Sequence, residues 1–343
     1  MRKKIEILCV AMLLSVITVL AQDQNREVSK RGTTAAPFLS IAQGARALGM
    51  GGAFVAVAND PSAMYWNPAG ITDIEGIGFI VDHTTWIADI NYEFIGATVA
   101  LGNYGALGVN ITASNIGEMK VTTVDQQEGT GEIFGVTDMA VGLSYGLKLT
   151  DAFAIGFNPK FVYQRIWKMS ANAFALDMGI KYRTPFEGVT LGMSISNFGT
   201  KMQMEGNNAI VSYDPDPEGS GNNGRIPANL STDEWELPLN FRVGIGYNIP
   251  LGGLGKMVLA LDAMHPSDNY ESVNIGGEYV FDDFIYLRGG MKSLFQKDSE
   301  ETYTFGFGIK QFLIGNLQFS VDYAWQEFNR LKNAQKFSFG INF

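Results

Sequence analysis

The sequence has 343 residues, of which 46% are hydrophobic and only 17% are charged, and its formal net charge is -10 at pH 7. An acidic chain of this kind argues against nucleic acid as a partner. The single cysteine, Cys9, lies in an N-terminal leader, so disulfides, thiol catalysis and cysteine metal sites are excluded for a mature chain.

Residues 1–21 have the features of a cleaved export signal. Basic residues at positions 2–4 precede an uncharged apolar core, and a small-residue pattern ending at Ala21 suits cleavage. The apolar run is shorter than the ~20 residues that a membrane-spanning helix needs. Cleavage would change the net charge from -10 to -12. The following residues, 22–43, are predicted to form an N-terminal periplasmic segment.

The next stretch, residues 44–75, is rich in glycine and other small residues. It is too broken by glycine for a stable helix and too small in its side chains for an ordinary strand, which predicts dense packing inside another structure. Asn59 or Asp60 is predicted to cap a short helix that has Pro61 in its first turn, and a second turn follows at 67–70. A phosphate loop is disfavoured, because no Gly-Lys-Ser or Gly-Lys-Thr occurs and no strand is predicted before the glycines.

The rest of the chain alternates apolar residues with small or polar ones. At its end, Phe337, Phe339 and Ile341 alternate with Ser338 and Gly340, a period of two that places the apolar side chains on one face. In a soluble sandwich this face would pack on a second sheet. In an outer-membrane barrel it contacts lipid, and the small or polar face lines the lumen.

Strand counting favours the barrel, because an even number of strands is predicted and tight turns alternate with longer loops. The fourteen strands are predicted at 77–87, 91–101, 104–114, 138–149, 153–167, 172–184, 189–198, 238–249, 257–265, 271–281, 284–293, 302–313, 317–328 and 336–343. The rim with the tight turns is expected to face the periplasm. The predicted fold is therefore all-β, a 14-stranded antiparallel transmembrane β-barrel over residues 76–343, with a soluble periplasmic sandwich as the weaker alternative.

Three tryptophans fall late in strands that would run outward. Trp86, Trp167 and Trp325 are therefore predicted to lie in an outer aromatic girdle at the membrane interface.

Several motifs resemble the PorV/PorQ family, whose members are relatives of the FadL outer-membrane transporters. The likeness is carried by residues 44–53, 59–63 and 65–70, and it continues in shorter stretches as far as 322–324. The resemblance implies that residues 44–75 form an N-terminal hatch that plugs the lumen of a FadL-like barrel. The residues of this hatch motif are Arg46, Gly49, Gly51, Gly52, Asn59, Asp60, Asn67, Pro68 and Ala69.

The same resemblance implies a non-enzymatic role in type IX protein secretion at the bacterial outer membrane. The implied partners are outer-membrane lipid and C-terminal domains of secreted cargo, the translocon barrel or a sortase-like surface protein, with the chain acting as a shuttle or plug. The alternative is a FadL-like passive transporter of hydrophobic small molecules. Neither function needs a cofactor, and no nucleophile elbow or zinc-protease motif is found in the sequence.

Two long acidic loops are candidate partner-binding surfaces, because loops of this length usually carry function or are disordered. An ordinary solvated acidic rim is the alternative. The candidate residues are Glu118, Asp125 and Glu128 in the first loop, and Asp214, Asp216, Glu218, Asp233, Glu234 and Glu236 in the second.

Two possible metal sites are disfavoured. The alternating acids from Asp214 to Glu218 imitate the start of a calcium loop, but prolines interrupt them and Arg225 stands where a bidentate glutamate is required. The two histidines, His83 and His265, have no motif linking them, so hydrogen bonds at strand ends are expected instead of a shared site.

Overall fold

The computed structural model describes residues 30–219, 221, 223–313 and 317–343. The predicted export signal at 1–21 lies outside the described residues, as do residues 22–29 of the predicted N-terminal segment. In the described part of the chain, no helix has both the length and the hydropathy to cross a bilayer.

Within these residues, fourteen long antiparallel strands form a closed ring, in which chain neighbours pair and the first strand pairs with the last. The strands are β1 (Ile77–Thr85), β2 (Asn91–Ala100), β3 (Ala106–Asn115), β4 (Ile133–Lys148), β5 (Phe153–Ile166), β6 (Met169–Arg183), β7 (Val189–Gly199), β8 (Asn240–Pro250), β9 (Lys256–Pro266), β10 (Ser272–Phe281), β11 (Ile285–Leu294), β12 (Glu301–Phe312), β13 (Gln318–Phe328) and β14 (Ala334–Asn342). Val81 of β1, for example, is opposite both Ile95 and Phe339. The prediction of a 14-stranded antiparallel barrel is confirmed.

The two faces of the strands differ as the alternating sequence predicts. Phe337 and Phe339 are 39% and 46% exposed on the outer face, whereas the alternating residues Lys336 and Ser338 are buried in the lumen. Large apolar side chains on the outer face are what a lipid-contacting barrel requires.

The tryptophans divide between the two faces. Trp325 lies on the outer face, stacked on Phe305. The girdle prediction is wrong for Trp86, which directly follows β1 and lies on the lumen side, as the even-numbered positions of β1 do. Trp86 packs edge-on against Phe328, with 5.3 Å between ring centroids, and contacts a buried apolar cluster.

The two rims of the barrel have different connections. The turns that follow β2, β4, β6, β8 and β10 have five residues or fewer, and they lie at what we call the inner rim. The opposite, outer rim carries the long loops 116–132 and 200–239. A short-turn rim facing the periplasm and a long-loop rim facing outward are typical of outer-membrane barrels.

Residues 44–75, which we call the plug segment, lie inside the ring. They form two short helices, α1 (Ala45–Gly49) and α2 (Ala63–Trp66), and a 3₁₀ helix at Pro68–Asp73. The segment is mostly buried and contacts inward-facing residues of strands all around the ring.

Glycines on the inner face of the wall make room for this segment. A Cβ atom added at any of them would lie within 3.1 Å of a plug atom, so the main chain of the wall directly contacts the plug segment, at main-chain atoms in some places and side-chain atoms in others. These glycines, which we call the glycine belt, come from β1 to β8 and β10 to β12: Gly78, Gly96, Gly108, Gly146, Gly156, Gly179, Gly192, Gly244, Gly246, Gly276, Gly290 and Gly306.

The N-terminal segment lies at the outer rim in the part that the structure describes, residues 30–43. The Ala35 N–H donates to the Glu236 carbonyl (2.8 Å), and Thr34 Oγ1 donates to Asp268 Oδ2 (3.0 Å), both in outer loops. With the inner rim toward the periplasm, this differs from the predicted periplasmic segment at 22–43. The physical reason is that the plug segment runs the depth of the barrel and reaches the inner rim only where β1 begins.

Candidate functional site in the lumen and at the outer rim

A double-glycine turn fixes the path of the chain after α1. Gly51 and Gly52 have φ angles of +66° and +72°, a region that favours glycine. The Gly51 N–H donates to Thr304 Oγ1 of β12 (2.9 Å), and a Cβ on Gly51 would lie 2.8 Å from the carbonyl oxygen of Ile275. Both the backbone angle and the close approach therefore require glycine at position 51.

Arg46 of α1 joins the plug segment to the wall. Its Nε and one terminal nitrogen donate to the two carboxylate oxygens of Glu278 on β10, each at 2.9 Å. Its other terminal nitrogen donates to Asn59 Oδ1 (2.5 Å) and Asp60 Oδ2 (3.3 Å) within the plug segment. Arg46 thus forms a bidentate pair with the wall carboxylate and also holds two other motif residues, Asn59 and Asp60, beside it.

The ion pair continues into the wall. Glu278 also accepts from Arg288 Nε of β11 (2.7 Å), and Arg288 in turn donates to Asp322 Oδ1 of β13 (2.6 Å). Glu278 and Arg288 are each 2% exposed, so these charges are stabilised by one another and not by water. The sequence analysis did not predict these wall residues. They could have been found as charged residues at inward positions of strands whose inner faces are otherwise small and polar.

Two wall aspartates hold the main chain of the plug segment. Asp262 Oδ2 of β9 accepts from the N–H groups of Phe54 (2.7 Å) and Val55 (2.9 Å). On the opposite side of the ring, Asp82 of β1 accepts from the Gly44 N–H (2.9 Å) and from Lys336 Nζ (2.8 Å). Irregular backbone inside the barrel therefore has its donors satisfied by wall carboxylates.

Asn67 connects two parts of the plug segment to β6. Its Nδ2 donates to the carbonyls of Val55 (2.8 Å) and Ile180 (2.9 Å), and its Oδ1 accepts from the Ala69 N–H (3.2 Å). The last contact closes the first turn of the 3₁₀ helix, in which Pro68 needs no N–H donor of its own. The Asn67-Pro68-Ala69 motif thus forms a buried turn against the wall.

The helix cap differs from the prediction. Asp60 Oδ1 accepts from the N–H (3.0 Å) and the hydroxyl (2.5 Å) of Ser62, which forms a local turn before α2. The helix itself begins at Ala63, so Ser62 and not Asn59 or Asp60 occupies its N-cap position. Asp60 contributes by shaping the turn and by contacting Arg46.

Asp73 attaches the end of the plug segment to the inner rim. Its carboxylate pairs with Lys181 (2.9 Å), Lys148 (3.4 Å) and Arg183. Burial alone would raise the pKa of Asp73, but the charges of Lys181, Arg183 and Lys148 outweigh it and hold the pKa below its usual value. Asp73 therefore carries its charge throughout the neutral range.

The N-terminal segment covers a second apolar region near the outer rim. The Ala36 N–H donates to Gln164 Oε1 of β5 (2.9 Å), which holds the segment across the mouth. Beneath it lies what we call the outer apolar cluster: Ala36, Phe38, Leu39, Ile41, Tyr92, Ala140, Val162, Ala171, Ala173, Ala175, Met202 and Leu237. At the outer mouth, the N-terminal segment therefore packs on apolar residues beneath it and is hydrogen-bonded to the outer loops.

The first acidic loop lies beside β4. Its strand at Glu118–Lys120 pairs with the start of β4, which extends to Ile133 and so begins earlier than predicted. Glu118, Asp125 and Glu128 are exposed on this loop.

The second acidic loop contains a projecting hairpin. Its strands, Ile210–Tyr213 and Ile226–Asn229, pair with each other and are largely exposed. Closer to the barrel, Met202–Gln203 pairs with Glu234–Trp235. The structure therefore divides the six predicted acids into a tip group, with Asp214, Asp216 and Glu218, and a base group, with Asp233, Glu234 and Glu236.

The two histidines lie on different strands and have separate partners. His83 Nδ1 is 2.6 Å from Glu93 Oε1, and His265 Nδ1 is 2.9 Å from Glu271 Oε1. Across the described residues, no group of three or more His, Cys, Asp or Glu side chains has the arrangement of a metal site.

Comparisons with known proteins place this geometry in context. Residues 21–209, more than half of the chain, match the family model described as "Type IX secretion system protein PorV". No curated protein matches the sequence.

Among solved structures, the fold is similar to the toluene transporter TodX of Pseudomonas putida, with 11% identity, a TM-score of 0.54 and coverage of 87% of this chain and 96% of that chain. A Pseudomonas aeruginosa FadL homologue has 11% identity and a TM-score of 0.52, with coverage of 88% and 98% respectively. The monoaromatic hydrocarbon channel CymD has 14% identity and a TM-score of 0.52, with coverage of 88% and 96%. At these identities the likeness shows a common barrel fold.

Proposed function

Because this chain belongs to the family of the type IX secretion system protein PorV, we propose that its barrel binds polypeptide partners of type IX secretion at the outer rim. The chain is a non-enzymatic β-barrel of the bacterial outer membrane. Its proposed partners are C-terminal domains of secreted cargo, the translocon barrel or a sortase-like surface protein.

The hairpin of the second acidic loop is the observation that carries this proposal. Tyr213 and Ile226 lie opposite each other on one face of it and are 56% and 40% exposed, and Val211 on the same face is 36% exposed. In the described part of the chain, its two strands pair only with each other, which leaves backbone donors and acceptors along both edges. Another polypeptide can pair with such an edge while its side chains contact the apolar face.

The plug segment favours partner binding at the outer rim over transport of a molecule through the lumen. We propose residues 44–75 as a hatch, 76–343 as the barrel and 1–21 as an export signal. Passage of a hydrophobic molecule through the lumen would require the Arg46 and Asp262 contacts to break, because they tie this hatch to β9 and β10. Partner binding at the outer rim requires no such change.

The test is a mild-detergent pulldown of the tagged protein from its native outer membrane, with co-purifying proteins identified by mass spectrometry. The Leu230 N–H donates to the Ala209 carbonyl (2.8 Å), so an Asn-Gly turn can replace residues 210–229 without changing the base of the loop. The wild type should recover a large translocon barrel, a sortase-like protein or cargo with a shared C-terminal domain. The shortened variant should recover much less.

A matched replacement in the first acidic loop identifies the binding loop. The Thr130 N–H donates to the Val121 carbonyl (2.8 Å), so residues 122–129 can be replaced in the same way. This variant should keep its partners if the hairpin is the docking surface. A barrel that carries only lipid or fatty acid in every preparation would contradict the proposal and favour hydrophobic transport.

A further inference from the structure

A cavity of about 330 Å³ opens at the outer rim between the N-terminal segment and the base of the second acidic loop. This volume falls within the range of ~300–1,000 Å³ that is typical of ligand pockets. The lining residues that bear on its chemistry are Ala36, Ala171, Met202, Met204, Asp233 and Trp235.

The walls of the cavity suit an aromatic ring. Ala36 and Ala171 are small and buried, and they belong to the outer apolar cluster beneath the cavity. Met202 and Met204 present thioether groups, and Trp235 presents an indole that is 48% exposed. Thioethers adapt to the shape of a guest and make favourable contacts with aromatic rings, and an indole adds a flat stacking surface.

The charge around the cavity suits a positively charged neighbour of that ring. Asp233 lines the cavity, and no lysine or arginine is among its described lining residues. Glu234 and Glu236, the residues on either side of Trp235, are exposed. Lys201 lies 3.8 Å from Glu236 and offsets one of these three negative charges, which leaves an excess of two.

We infer that this cavity binds an aromatic side chain of a polypeptide segment in which lysine or arginine stands next to the aromatic residue. The inference rests on the proposed function, since it identifies the chemistry of a partner at the same rim. A free hydrocarbon would gain nothing from Asp233 and its acidic neighbours, whereas a basic peptide gains from both the apolar walls and the charge. The cavity thus adds side-chain specificity to backbone pairing along the hairpin.

Short labelled peptides test the inference by fluorescence anisotropy, with the full chain purified in detergent. The probe is acetyl-Gly-Lys-Phe-Lys-Gly-amide, compared with the same peptide carrying serine for phenylalanine or glutamate for lysine. The Lys-Phe-Lys peptide should bind about tenfold more tightly than either, because each control removes one of the two recognised features. Toluene, added as a competitor, represents an apolar ligand without charge.

Two pairs of variants locate the binding to the cavity. Trp235→Ala and Asp233→Lys should each weaken binding of the Lys-Phe-Lys peptide about tenfold. Trp325→Ala on the lipid face and Asp283→Lys in an inner turn should not, because Trp325 stacks on Phe305 and Asp283 is 72% exposed far from this rim. Folding of each variant is checked by its heat-dependent shift in gel mobility, and both cavity variants alter exposed residues.

Equal binding of the three peptides, unchanged binding by Trp235→Ala, or binding of toluene without any peptide binding would each overturn the inference. These outcomes are distinguishable from failure of the proposed function. If peptide selectivity is absent while the pulldown still recovers secretion proteins, only the cavity assignment fails. If the pulldown recovers lipid alone, the proposed function fails as well.

Discussion

At the scale of single residues, Arg46 is the most connected side chain of the plug segment. It is the only charged residue between Gly44 and Asn59, and its partner Glu278 lies 232 positions further along the chain. The Arg46 side chain is 19% exposed and that of Glu278 is 2% exposed. Removing the arginine would leave a buried carboxylate dependent on Arg288 alone, and losing one partner of a buried ion pair is strongly destabilising.

We therefore expect Arg46→Met to reduce the free energy of unfolding by about 3 kcal/mol, at the low end of the range for broken buried pairs because Arg288 remains. The measurement is the urea midpoint of the barrel in detergent, together with the temperature of its shift in gel mobility. Lys256→Ala is the matched control, since it breaks an exposed ion pair with Asp283 and should leave both values nearly unchanged. Equal midpoints for Arg46→Met and the wild type would contradict a stabilising role.

Asp73 predicts a dependence on pH. Because its pKa is lower in the folded protein than in the unfolded chain, its ion pairs stabilise the fold above the unfolded value of about 3.9. This contribution is lost as the pH falls through the folded pKa. Asp73→Asn should therefore be less stable than the wild type at neutral pH, and the two urea midpoints should converge below about pH 4. A constant difference across the whole range would exclude Asp73 as the titrating group.

At the scale of elements, the glycine belt explains how a wall of regular strands encloses an irregular segment. Adjacent residues of β11 show the requirement: a Cβ on Gly290 would lie 2.6 Å from the carbonyl carbon of Met50, whereas a Cβ on Gly289 would meet nothing within 4 Å. Side chains of neighbouring strand residues point to opposite faces, so only Gly290 faces the plug segment. The atoms that this Cβ would meet belong to the main chain of Met50 and Gly51, which cannot move aside as a flexible side chain could.

Gly290→Ala should accordingly displace the plug segment or weaken the barrel, while Gly289→Ala should behave like the wild type. Liposome swelling with a small sugar detects displacement of the segment, and the urea midpoint detects weakening. We expect Gly290→Ala to change at least one of these readouts and Gly289→Ala to change neither. Wild-type behaviour of both variants would show that the segment shifts freely against β11.

The strands and the plug segment differ in how far they could be predicted. Alternation from residue to residue is a local property. Patterns like the one around Phe337 and Ser338 recur along the chain, and they were sufficient to place the strands and count them. The ion pair between Arg46 and Glu278 and the cavity beside Trp235 depend on which distant strands face each other, and no local pattern carries that information. The girdle prediction failed for Trp86 for a related reason: β1 ends one residue before it, and the face on which its side chain lies was not considered.

At the scale of the whole molecule, the chain from residue 30 to residue 75 runs from the outer rim to the inner rim. Ala35 and Ala36 are hydrogen-bonded at the outer rim, and the plug segment then descends to Asp73 at the inner rim. Residue 30 is exposed beside the outer loops. The chain therefore enters its own barrel from the side on which its long loops lie.

An epitope inserted after Lys30, which is exposed, should consequently be accessible to antibody on intact cells. An epitope in the inner turn at Gly252–Leu254 should be accessible only after the outer membrane is permeabilised. A third epitope, at the tip of the second acidic loop, reports the orientation of the barrel independently. If antibody reached the epitope at the loop tip on intact cells but not the first epitope, this path would be contradicted.

The closed ring and the segment that runs through it have a consequence for the order of assembly. The ring is completed when β1 pairs with β14, the first strand with the last, and the plug segment contacts both of them through Asp82 and Ser338. A chain threaded through its own barrel must be enclosed as the seam closes, or be drawn afterwards through a lumen that its own packing fills. Close contact between the glycine belt and the plug segment favours enclosure. Pairing of the final strand with β1 would then be the step that encloses the plug segment, so truncation within β14 should leave the seam open and free the plug segment from the lumen.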